Sequence, residues 1–157
     1  MKRETNDALT LDNFNVKSQG LDIQGEAKLG HNLRVKSATI NKISIDNLID
    51  GRITANRELS DSPLKITIDG DYLNLEELVG SSISGARERP LPPILMTANI
   101  ASLRLAPNYF ISDSILFFGH SGETIDYFRF NGDTDKGPFK FDLRKLKDGP
   151  YLSLIHI

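Results

Sequence analysis

Along most of this chain an apolar side chain recurs at every second residue, and that alternation limits the folds open to it more than any other feature. The stretch "LTLDNFNVKSQGLDIQGEAKL", residues 9–29, sets Leu9, Leu11, Phe14 and Val16, then Leu21, Ile23, Ala27 and Leu29, among charged and amide residues. Successive side chains of an extended chain point to opposite sides, so this pattern predicts strands that bury one face and wet the other. It continues at Leu33 and Val35, Ile43 and Ile45, Ile53 and Ala55, and Leu64, Ile66 and Ile68. After an interruption it resumes at Met96, Ala98 and Ile100, then Leu103 and Leu105, Ile115 and Phe117, Phe128 and Phe130, and Phe139, Phe141 and Leu143.

The connections read as turns: "KSQG", "LGHN", "ELSDSP" and "NGDTDKGP" concentrate the residues that tolerate tight or left-handed backbone. Returns this short predict antiparallel neighbours. Gly25, Gly51 and Gly70 fall at strand centres or ends, where a missing Cβ permits a bulge or a close backbone approach. "YLNLEELVGSS" breaks the rhythm: Leu73, Leu75, Leu78 and Val79 suit a short helix over 73–79, with Asn74 as its cap and acidic residues in the first turn. The next stretch, "SISGARERPLPP", is rich in Gly, Pro and charge. The expected organisation is a first β unit over 1–80, a linker over 81–93 and a second β unit over 94–151. Segments 9–25 and 103–119 share a loose outline that suggests an internal repeat. "LSLIHI", residues 152–157, matches the translation of a transposase end sequence used in DNA-library preparation; it is expected to be a sequencing-adapter scar on a fragment and is set aside.

Composition narrows the function. Nineteen Lys+Arg against 21 Asp+Glu leave a formal net charge of -2, without the basic excess that neutralises nucleic-acid phosphates. No Cys is present, which removes disulfides, thiolate nucleophiles and Cys-ligated metals together. His31, His120 and His156 have no partner at metal-ligand spacing, and the first two read as exposed turn residues. "GHSGE" around Ser121 fails the G-x-S-x-G elbow because Glu123 stands at its last position. Asp133 and Asp135 open a calcium-loop spacing that Pro138 and Arg144 then break, so a polar turn explains them. Arg87 and Arg89 read as solvated loop residues that could touch an anionic headgroup. No enzyme, cofactor or metal site is expected. What remains is the apolar face; such a face normally becomes the core of a closed β-sandwich, and a sheet curled into a groove satisfies the same pattern.

The order of phrases "LTLDNFNVKSQGLDIQGEAKL", "LRVKSATINKISI", "NLIDGRITANRE", "KITIDGDYLNLEELV", "PPILMTANIASLRLAPNYFISDSILFF" and "IDYFRFNGDTDKGPFKFDL" resembles the periplasmic repeat region of bacterial AsmA-like proteins, nearest to the YhdP-type, over roughly residues 8–151. Gly70, Leu73, Leu75 and Leu78 fit that family's middle phrase, and Pro92 and Pro93 its Pro-containing loop. Asn108 and Tyr109 stand where a Gly-rich turn is more usual. The resemblance implies a mainly β fold, with twisted antiparallel sheets forming an open, taco-like, repeating β-groove. It implies a periplasmic parent anchored in the inner membrane that conducts phospholipids toward the outer membrane. The implied partners are phospholipid acyl chains and neighbouring repeats of the same parent chain, with membrane contact only through an anchor outside this sequence. The candidate groove residues are Leu9, Leu11, Leu21, Ile23, Leu64, Ile66, Ile68, Met96, Ile100, Leu103, Ile115, Phe117, Phe128, Phe130, Phe139 and Phe141.

Overall fold

In a computed structural model, which describes residues 9–30, 33–59, 61–77, 92–146 and 149–156, the alternating segments become ten strands. They are β1 (Leu9–Ser18), β2 (Leu21–Leu29), β3 (Val35–Ile45), β4 (Ile49–Asn56), β5 (Leu64–Asn74), β6 (Ile94–Ala106), β7 (Tyr109–His120), β8 (Ile125–Thr134), β9 (Gly137–Lys145) and β10 (Tyr151–His156). All ten lie in one sheet in chain order, which is not closed into a barrel. Neighbours pair antiparallel, as the short returns require, except at one place. There β5 and β6 run parallel, so two five-stranded meanders, β1–β5 and β6–β10, meet edge to edge in one mixed sheet. Residues 75–93 join them, and most of the expected 81–93 linker, with Arg87 and Arg89, lies outside the described residues.

The expected turns form where the special residues stand. Gly20 takes φ 75°, Asn47 φ 59° and Asn108 φ 63°, so an Asn after Pro107 supplies the left-handed step for which a glycine is otherwise used. Leu33 belongs to a turn and not to a strand: its φ is 57° and its side chain is exposed. The helix begins later than its expected span, at residues 75–77, because Leu73 and Asn74 still belong to β5. Asn74 caps it, accepting from the Glu77 N–H on Oδ1 at 3.3 Å. The same buried side chain donates from Nδ2 to the Asn47 carbonyl at 2.9 Å, tying the helix start to the β3–β4 turn. The segment set aside in the sequence forms β10, and its register puts Leu152 and Leu154 beside Arg144 and Asp142, on the polar face.

A line of irregularities crosses the sheet at right angles to the strands. Register slips occur between Leu11 and Phe14 in β1, Ile40 and Ile43 in β3, at Asp71 in β5, and between Ser112 and Ile115 in β7. Asn13 and Asp113, inside two of these bulges, both take φ 49°. Glycines stand beside the bulges: Gly25 packs on the Thr39 carbonyl, and Gly51 pairs directly with Gly70. A Cβ on Gly51 would lie 2.5 Å from the Asp69 oxygen and 2.6 Å from the Gly70 Cα; one on Gly132 would lie 2.5 Å from Ile111 Cγ2. A bulge bends its strand and increases twist, so this row is a crease across β1–β8. Gly51→Ala is therefore expected to lower stability by roughly 1–3 kcal/mol through backbone displacement. Urea unfolding monitored by circular dichroism checks this against Thr54→Ala, an exposed change on the same strand expected to stay within about 0.5 kcal/mol.

Candidate functional site

The pairing aligns the apolar residues into rows that run across at least nine of the strands. One row is Phe14, Gly25, Ile40, Ile53, Ile68, Ala98, Leu116, Phe130, Phe141 and Ile155, one residue from each strand in turn. A second runs Leu11, Ala27, Ala38, Ala55, Ile66, Met96, Phe118, Phe128 and Leu143. Both cross the parallel β5–β6 seam unbroken, because Ile66 meets Met96 and Ile68 meets Ala98 there. With strands about 4.8 Å apart, a row across ten strands is roughly 43 Å of continuous apolar surface.

Burial along this face is graded. Ile49, Leu73, Ala98, Ile100, Leu103, Ile111, Leu116 and Phe130 form a buried cluster at the centre, with Leu103 at 0% exposure. Half-buried side chains surround it, among them Ile68, Met96, Phe128, Phe139 and Phe141. At the β1 edge the same face is open, with Leu9 at 50%, Leu11 at 42% and Val16 at 48% exposure. Between β7 and β9 it becomes aromatic: Phe118 meets Phe128 edge-on at 6.5 Å, Phe128 meets Phe141 at 5.7 Å, and Phe130 and Phe139 lie 5.2 Å apart. His120, expected as an exposed turn residue, is instead a half-buried extension of this wall. Its ring stacks on Phe118 at 6.3 Å, and its Nδ1 accepts from the Gly122 N–H at 3.0 Å.

The structure brings together on this one face Leu9, Leu11, Leu21, Ile23, Leu64, Ile66, Ile68, Met96, Ile100, Leu103, Phe128, Phe130, Phe139 and Phe141. Ile115 and Phe117 are corrections. They pair with Asn99 and Thr97 on one side and with Asn131 and Arg129 on the other, which places them on the opposite, polar face. The cause is the β7 bulge at Asp113, which shifts the phase so that Ile111, Leu116 and Phe118 face the core. In "ILFF" every position is apolar, so alternation alone cannot choose the phase there. Ile111, Leu116 and Phe118 are accordingly the lining residues that the pattern missed.

The opposite face is polar and organised by carboxylates held between cations. Asp22 accepts from Lys42 at 2.7 Å and from Gln24 at 2.9 Å, with Lys17 at 3.7 Å. Asp142 pairs with Arg144 and lies 3.4 Å from Arg129. The Lys42 ammonium holds the Asp22 carboxyl below its ordinary value, and the Arg144 guanidinium does the same to Asp142. Such exposed pairs contribute little and weaken with salt. Along the crease this face carries a cleft of about 690 Å³ bordered by Lys42, Asp50, Arg52, Asp69, Asp71, Asn99 and Asp113. No group of three His, Cys, Asp or Glu side chains among the described residues is placed to hold a metal ion. No helix among them is long and apolar enough to cross a membrane.

Comparisons with protein-family models, with curated proteins and with solved structures find no match to this chain.

The Asp22 pairing contributes stability only while the carboxylate is ionised. It is fully present above the ordinary carboxyl value of 3.8 and is lost as pH falls through the lower folded-state value. A carbon-detected titration is expected to place the Asp22 midpoint below 3.8, and Lys42→Met to move it back up.

Proposed function

We propose that this chain is a segment of a periplasmic, inner-membrane-anchored AsmA-like protein that shields phospholipid acyl chains on an apolar β-groove during transport toward the outer membrane. The observation that carries the reading is the apolar row running unbroken through β1–β9 and across the parallel seam. A catalytic site needs a few convergent polar groups, whereas conduction of an acyl chain needs unbroken apolar area. Each CH₂ removed from water contributes about 0.8 kcal/mol, so even partial cover of two acyl chains holds a lipid outside a bilayer.

The gradation of burial says where such a chain would lie. Leu103 and Ile100 are packed against protein, so acyl chains would meet the half-buried and open positions, such as Leu11, Ile66, Met96, Phe128 and Phe139. The β5–β6 seam already joins one five-stranded meander to the next without interrupting the apolar face, and neighbouring repeats of a longer parent chain would add in the same way. The near-complete burial of Leu103, Ala98 and Ile100 favours a second reading, a closed structural or binding module with a dry core.

Native mass spectrometry of the chain expressed in the periplasm and extracted in mild detergent separates the two. The groove predicts phospholipid adducts that Phe128→Asp and Phe139→Asp abolish, with the fold retained by circular dichroism, and that Phe117→Asp on the opposite face leaves in place. A folded, adduct-free wild-type chain would establish the closed module instead.

A further inference from the structure

A single sheet with one apolar face has no need of apolar residues on the other, yet β6 and β7 carry them on both. Leu95 and Phe117 point to the polar face and are 37% and 40% exposed. Strands apolar on both sides are normally covered on both sides. The neighbouring strands add a second ingredient. Tyr127 lies flat across β7, its ring Cζ 2.8 Å from where a Cβ on Gly119 would be, so the glycine makes the space for it. Arg129 sits over that ring, with its Cζ 5.7 Å from the centroid. Arg144 pairs with Tyr127 across β8 and β9, and exposed Lys140 lies opposite Asn131. Against these three cations the same face of β8 and β9 sets two carboxylates: Asp142, shared by both arginines, and exposed Asp133 at the crease end of β8.

Charge on this face is therefore uneven. Four carboxylates, Asp50, Asp69, Asp71 and Asp113, outnumber Lys42 and Arg52 along the crease, while Arg129, Lys140 and Arg144 gather on β8 and β9 beside Phe117, Leu95 and Tyr127. Aromatic and aliphatic side chains interleaved with cations suit the headgroup region of an anionic bilayer, where ring and aliphatic stems enter the apolar boundary and guanidinium and ammonium groups meet phosphate. We propose that the outer face of β6–β9 is a docking surface for an anionic membrane, a contact separate from any anchor and made on the face opposite the acyl-chain groove. The acidic crease directs the approach, since an anionic surface repels the β4–β7 end and attracts the β8–β9 end.

The sequence contains no Trp, so Phe117→Trp provides a reporter without background. Vesicles of phosphatidylcholine alone, and with about a third phosphatidylglycerol, are titrated into this variant at low and high salt. The expected result is a blue shift of Trp emission with anionic vesicles, at least tenfold weaker affinity for neutral ones, and loss in high salt. Lys140→Glu, at an exposed site without an ion pair among the described residues, is expected to weaken binding about fivefold in the same background. Phe128→Asp is expected to leave it unchanged, so failure of the groove reading and failure of this one are read separately. No blue shift with anionic vesicles, equal affinity for neutral ones, or indifference to Lys140→Glu would overturn the proposal; in the first case an acidic protein would become the partner to seek.

Discussion

The fold depends on keeping one phase of side-chain alternation in register through β1–β9. A sheet slipped by one residue turns its whole apolar set toward water, so every turn and bulge in this chain must preserve the phase or reset it. The eight pairings of β1–β9 do so, including the parallel seam, where Leu64, Ile66 and Ile68 meet Ile94, Met96 and Ala98. Because the face is continuous, its centre can bury Leu103 and Leu116 completely or nearly so while its edges remain open. Burial without a second sheet among the described residues arises from side chains of β4–β8 converging as the sheet twists.

The crease is the second organising element. Bulges on β1, β3, β5 and β7 would each flip the phase of their strand if left uncompensated. Instead, the extra residue is Asn or Asp in or beside each bulge, at Asn13, Asn41, Asp71 and Asp113, and it is spent on the polar face or in left-handed backbone. Gly25, Gly51 and Gly132 allow the adjoining backbones to approach closely enough to keep the ladder. The same line gathers the carboxylates of the outer cleft. One row thus shapes the sheet and separates charge on its outer surface.

Much of this was legible in the residues, because strand alternation and turn chemistry are local. The strands, the Asn74 cap, the turns at Gly20 and Gly137, and close approach at Gly25, Gly51 and Gly70 follow from short-range rules. Two things were hidden. The parallel direction of β6 depends on residues 75–93 returning the chain, which no alternation pattern encodes. The phase of "ILFF" depends on the bulge at Asp113, where φ is positive, and four consecutive apolar residues carry no alternation to reveal it, so Ile115 and Phe117 changed faces. Leu33 misled for a related reason: its hydrophobicity fits a strand, but its position fits a turn.

The central claim is that the face bearing Phe128 and Phe139 meets acyl chains. A photo-crosslinking amino acid placed in turn at Phe128, Phe139, Leu11 and, on the polar face, Thr54, followed by illumination in cells, purification free of membranes and mass spectrometry, tests it most directly. The groove predicts covalent phospholipid adducts at the first three positions and none at Thr54. Adducts at none of them would contradict the groove in favour of a closed protein core, and equal adducts at Thr54 would contradict it by showing that neither face is selective for lipid.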